Sequence, residues 1–187
     1  LEARPAAQAV AVEIDPLVTR VASLHMPWAG ATLERAGYDA GRGEEAGAAG
    51  DRLGIVHADG RVYLNETDRR FDAVVMDAFS SGSVPAHLAT RETYERLRAI
   101  VEGPVYVNLI DAPDGPLARG VHAILSSLYA HVEAVQGPLG PNGYANLVLA
   151  ASRTPLAPVD ALPAGYEAAS IAPGRAFTDD RGWVGHR

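Results

Sequence analysis

FDAVVMDAFSSGSVPAHL, residues 71–88, is the stretch on which the fold of this chain turns. Ala73, Val74, Val75 and Met76 make an apolar run that ends on Asp77 and opens into a loop of small residues. A short apolar run closed by turn residues reads as a buried strand of a parallel sheet. In such sheets ligands bind outside the carboxyl ends of the strands, where the loops vary freely and helix N-termini point. Asp77 stands at that position, so its chemistry decides what the chain does.

On either side, apolar runs of strand length alternate with helical patterns, the mark of a parallel sheet covered by helices on both faces. Residues 9–14, AVAVEI, predict the first strand. Pro16 suits a first helical turn, and Leu17, Val18, Val21 and Leu24 recur at helical spacing until Pro27 stops the helix. Residues 29–52 are rich in Gly and Ala, with little apolar surface to offset their ordering entropy, and are expected to be an insertion, mobile or partly helical. A strand is predicted over 53–60, ending on Asp59-Gly60, and another over 71–77. A helix is predicted over 88–101 with Thr90 as N-cap, Glu92 in its first turn and Leu88, Tyr94, Leu97 and Ile100 as its apolar stripe. PVYVNLI, 104–110, predicts a strand ending at Asp111, and 116–130 a helix carrying Leu117, Val121, Ile124, Leu125 and Leu128. Strands at 131–136 and 146–152 follow, joined by the turn-rich GPLGPNGYA, and then a proline-rich tail ending in FTDDRGWVGHR. The expectation is one domain over 1–187, an α/β doubly wound, mostly parallel sheet.

Composition narrows the function. The 187 residues are 48% hydrophobic, enough for one full core. Sixteen basic against 23 acidic residues leave a net charge of −7, which repels phosphate backbones, so no nucleic-acid partner is expected. There is no Cys, hence no disulfide and no thiolate metal site, in keeping with a reducing, cytoplasmic location. Six His without HExxH-type spacing predict no metal. No apolar run approaches the roughly 20 residues that span a bilayer, and no membrane contact is expected.

Three predicted strands end in acids: Glu13 with Asp15, then Asp59, then Asp77. Glu13 has the character of an acid that accepts from ribose hydroxyls, Asp59 is placed to read an exocyclic amine such as that of adenine, and Asp77 would face the reacting end of the ligand. Taken singly, a strand-end acid is as often a turn former or helix cap, and Asp15, just before Pro16, reads as an N-cap. Ser80, Ser81 and Ser83 with His87 lack a GxSxG elbow and do not read as a hydrolase. Asp179 and Asp180 read as a terminal cap or a closing element, and Tyr144, Trp183, His57 and His122 as packing residues.

VEIDP at 12–16, HADG at 57–60, FDAVVMDAF at 71–79, HLATRETYERL at 87–97, NLVLAAS at 146–152 and FTDD at 177–180 occur in the order seen in spermidine synthase-like proteins, and the chain resembles that family over nearly its whole length outside 29–52. The resemblance implies the class I methyltransferase fold and a donor that is S-adenosylmethionine or its decarboxylated form. It implies Glu13 as the ribose-binding acid, Asp59 and Gly60 as the adenine-side pair, and Asp77 as the acid that takes the proton of an attacking amine. The implied activity is aminopropyl transfer to a small-molecule amine, as in polyamine synthesis. Methyl transfer on the same scaffold, and a non-catalytic binding or oligomerisation module, are the alternatives; a homodimer is left open.

The match departs at two places. The family continues its third strand as D-S-S-D-P, whose second acid holds the diamine, whereas here Asp77-Ala78-Phe79-Ser80 puts Ser80 at that substrate-binding position. The family's first strand and glycine-rich loop find no counterpart, because LEARPAAQ reads as the end of the helix that follows them. That strand would lie between the strands at 9–14 and 71–77; leaving it out would expose two inner edges that a parallel sheet normally buries, so some other segment is expected to fill the slot.

Overall fold

The computed structural model describes residues 6–41, 48–49, 52–79, 84–157 and 162–181. The chain forms two compact units, Leu1–Thr67 and Asp68–Arg187.

In the first unit, β1 (Ala9–Glu13) runs parallel to β3 (Leu53–His57), in register from Ala9 opposite Leu53 to Glu13 opposite His57. The short β2 (Ala48–Ala49) pairs antiparallel on the other side of β3. Asp15 caps α1 (Pro16–His25) by accepting from the Leu17 amide at 2.9 Å, and Pro16 occupies the first turn, where no backbone donor is needed. Pro27 ends that helix and begins α2 (Pro27–Arg35), so the helical part of 29–52 starts just ahead of it. Ala36 and Tyr38, beyond α2, are buried.

The predicted strand over 53–60 stops at His57, and Gly60 opens a helix, α3 (Gly60–Glu66), that the sequence reading did not anticipate. GRVYLNE is too short and polar to show a helical period; Asp59 initiates it and buried Leu64 ties it down. The α1 stripe is a second difference. Leu17, Val18, Val21 and Leu24 are 45–58% exposed, and the buried residue of this helix is Thr19.

The second unit is a five-stranded sheet in the order β4-β5-β7-β6-β8. It comprises β4 (Val74–Met76), β5 (Val105–Asp111), β6 (His131–Gln136), β7 (Ala145–Ser152) and β8 (Glu167–Ala168). β4 and β5 are parallel, and the remaining pairs are antiparallel. β4 is shorter than the predicted 71–77, because Phe71 makes only an isolated bridge to Val101. β5 alternates strictly, with Val105, Val107, Leu109 and Asp111 on its buried face.

Helix α4 (Arg91–Ile100) packs on α5 (Pro116–Leu128), and α5 lies against β5, β6 and β7. Leu117, Val121, Ile124 and Leu125 of α5 are fully buried, as expected from their spacing. At about 1.5–3 kcal/mol each, these four side chains contribute roughly 6–12 kcal/mol before ordering costs, enough to fix the helix on the sheet. Among the described residues β1 and β4 each stand at an end of their sheet's order, and no described strand pairs with the outer side of either, so the segment expected to fill that slot is not seen among them. Among the described residues no helix is long and apolar enough to cross a membrane.

Candidate functional site

Glu13 ends β1, and its Oε1 accepts from the Asp15 amide at 2.9 Å, a local turn that leads into α1. Its Oε2 has no protein partner among the described residues. Asp59 follows β3 as the N-cap of α3, and its Oδ1 accepts from the Arg61 amide at 2.8 Å and the Val62 amide at 3.1 Å. Gly60 is the first residue of that helix. Because β1 and β3 are parallel, Glu13 and Asp59 lie at the same edge of the first unit's sheet. Both are therefore built into backbone turns, and Asp59 does the work of a helix cap as well as marking a strand end.

Beneath that edge sits a polar cluster. His57 Nε2 lies 3.1 Å from Thr19 Oγ1, which explains why α1 turns Thr19 inward. The Tyr38 ring meets the His57 ring edge-on with centroids 6.4 Å apart. His57 Nδ1 and the Tyr38 hydroxyl are buried without a partner. His57, expected to be a satisfied packing residue, is thus satisfied at one nitrogen only. A groove of about 580 Å³ beside α1 and α2 is lined by Ser23, Gly30, Glu34, Tyr38 and Asp39; none of the strand-end acids lines it.

In the second unit, Asp77 is exposed just past the end of β4. The parallel register pairs Met76 with Val107, which puts Asp77 level with Asn108, and Asn108 Nδ2 donates to Asp77 Oδ1 at 2.7 Å. A short bond to a carboxylate of this kind contributes about 1.5–3 kcal/mol in partly buried settings and less where the acid is open to water. The same amide leaves Asn108 Oδ1 buried without a partner. Asn108 was not singled out from the sequence, because strand register is a tertiary property.

Asp111, at the end of β5, has the opposite environment. It is 5% exposed, and its two oxygens accept from the Ala112 amide at 2.9 Å and the Ala118 amide at 2.9 Å. Gly115, the N-cap position of α5, has no side chain to cap with, so Asp111 caps the helix from the neighbouring strand. A Cβ at Gly115 would overlap the Asp111 carboxylate, which is why a glycine stands there.

The tail is tied to α4. Thr90 Oγ1 donates to Asp179 Oδ1 at 2.7 Å, the Asp179 amide donates to Glu92 Oε2 at 3.0 Å, and the Arg91 amide donates to the Phe177 carbonyl at 2.9 Å. Thr90 is the N-cap residue, as expected, but its hydroxyl serves the tail rather than the helix backbone. Asp179 has the structural role. Tyr144, expected to pack, is 40% exposed. Ser80, with Ser81 and Ser83, and Trp183 lie outside the described residues. Among the described residues no group of three or more His, Asp or Glu is placed to hold a metal ion.

No protein-family model matches the chain, and no curated protein matches it significantly. Solved structures do. A probable spermidine synthase from Corynebacterium glutamicum superposes with a TM-score of 0.61 at 21% identity, covering 86% of this chain and 52% of that one. A spermidine synthase in complex with the transition-state analogue AdoDATO gives 0.53 at 18% identity over 79% of this chain and 45% of that one. Human methyltransferase-like protein 13 in complex with SAH gives 0.53 at 20% identity over 86% of this chain and 66% of that one.

The fold is therefore that of the class I methyltransferases, α/β and Rossmann-like. That fold is similar to the one seen in the spermidine synthases. The chain spans about half the length of the spermidine synthases it matches.

Proposed function

We propose that the chain is part of a transferase that uses an S-adenosylmethionine-type sulfonium donor, with aminopropyl transfer to a small amine as its reaction. The observation that carries this reading is Asp77: an exposed carboxylate at the end of β4, held at one oxygen by Asn108, on a fold shared with a spermidine synthase solved with AdoDATO. A carboxylate at that place has two uses, attraction of a cationic donor and acceptance of a proton.

In this reading Glu13 accepts from the ribose hydroxyls through the oxygen that the Asp15 amide leaves open, Asp59 and Gly60 form the adenine side, and the role of acceptor-side residue falls to Ser80 by the family resemblance alone. The amine nitrogen attacks the carbon bonded to sulfur, the C–S bond breaks with its electron pair going to sulfur, and the amine proton passes to Asp77. An alkylammonium has a pKa near 10.4, so it must lose a proton before it attacks, and a placed base contributes about 10² to 10⁴ in rate. Positioning of the amine in line with the breaking bond supplies much of the remainder. Methyl transfer is the second reading, favoured by the likeness to methyltransferase-like protein 13 in complex with SAH.

Thermal shift of the full-length protein with decarboxylated S-adenosylmethionine, S-adenosylmethionine and methylthioadenosine separates these readings. Preference for the decarboxylated donor supports aminopropyl transfer, and preference for the intact donor supports methylation. No shift with any of the three would leave a non-catalytic module on the same fold.

A further inference from the structure

We propose that Asn108 is the positioning residue of Asp77, holding its carboxylate in one orientation without neutralising it; the proposal rests on the reading of Asp77 given above. Asn108 occupies the less buried face of β5, between Tyr106 and Ile110, where the strand otherwise presents apolar side chains. Asn is a poor strand former, and a β-branched residue would suit this position better as structure alone.

The direction of the amide is fixed by chemistry. An ionised carboxylate only accepts, so the side of Asn108 that faces Asp77 Oδ1 at 2.7 Å must be its NH₂. That choice leaves Asn108 Oδ1 buried with no donor. A buried polar atom left unpaired in a native structure calls for a reason, and the reason here is the bond made on the other side of the same amide.

Asp77 is exposed, and among the described residues its side chain accepts one hydrogen bond, the one from Asn108. Without it the carboxylate would be free to sample other rotamers, whereas a proton acceptor works only within a narrow range of distance and angle. The identity of the partner matters as well. An Arg or Lys at 108 would pair with the carboxylate, weakening it both as a proton acceptor and as an attractor of a cationic donor. A neutral amide orients the group and leaves its charge in place.

The test compares the full-length wild type with Asn108→Ala and Asn108→Val. Both variants should lower kcat about 10- to 100-fold while donor affinity stays within twofold, as expected for a displaced group at the reacting centre. Asn108→Val, which also removes the stranded carbonyl, should melt no lower than wild type. Unchanged kcat in both variants overturns the proposal, and so does a joint fall of kcat, donor affinity and melting temperature, which would mark a structural residue. If the wild type turns over no donor, the transferase reading itself has failed, and the three-bond side-chain couplings of Asp77 then decide. A single rotamer in wild type that averages in Asn108→Ala supports positioning, and averaging already present in wild type overturns it.

Discussion

Asp77 and Asp111 end neighbouring parallel-register segments of one sheet, yet they differ in every physical respect. Asp111 is enclosed, and its two oxygens are used by backbone donors, one of them in the first turn of α5. Asp77 is exposed and, among the described residues, makes one side-chain bond. Replacing Asp111 by Ala strands one buried and one part-buried N–H group and removes the side-chain cap that α5 has among the described residues, so Asp111→Ala should lower unfolding stability by about 2–4 kcal/mol in urea denaturation. Asp77→Ala should change it by no more than about 0.5–1 kcal/mol in the same assay. Activity should show the reverse order of sensitivity. Asp77→Asn is expected to abolish turnover with nucleoside affinity within a few fold, and unchanged turnover would remove Asp77 from the mechanism.

Helix α1 carries the lesson at the scale of elements. Its apolar spacing marked a helix correctly, but spacing says nothing about which face is covered. The exposed side bears Leu17, Val18, Val21 and Leu24, while Thr19 turns inward to meet His57. Val21→Gln should therefore alter stability by less than about 0.5 kcal/mol, whereas Leu125→Ala, in the filled core under α5, should cost about 2–5 kcal/mol. Helix α5 also seats the tail. The Phe177 ring lies where a Cβ on Gly120 would stand, and Arg119 donates through both Nε and Nη2 to the Pro173 carbonyl at 2.9 and 2.7 Å. Gly120→Ala should displace Phe177 and expose the 171–181 segment to proteolysis, with cleavage there several-fold faster than in wild type.

For the molecule as a whole, stability should depend on pH through His122. Burial on α5 pushes its imidazole below the ordinary value of about 6.5. The unfolded chain then binds the proton more readily than the folded one, so stability is complete above about pH 6.5 and is lost as pH falls through the lower folded value. Replacing His122 by Asn should flatten the stability profile on the acid side of pH 6.5 while leaving it unchanged near pH 8. A profile with the same acid slope in both proteins would exclude His122 as its source.

Chain order and local chemistry were enough to place most elements: the strands expected at 9–14, 104–110, 131–136 and 146–152, each met to within one residue at either end, the caps Asp15 and Thr90, and the break at Pro27 all follow from side-chain size, branching and missing donors, which act over a few residues. Local information could not supply what depends on partners distant in the chain. The register that sets Asn108 beside Asp77, the reach of Asp111 to the Ala118 amide seven residues on, the inward turn of Thr19 and the docking of Asp179 on Thr90 all require two segments to meet. Each such pair is selected by the free energy of the packed state, where an unpaired donor or a misplaced apolar face is costly, and that energy does not exist until the chain has folded.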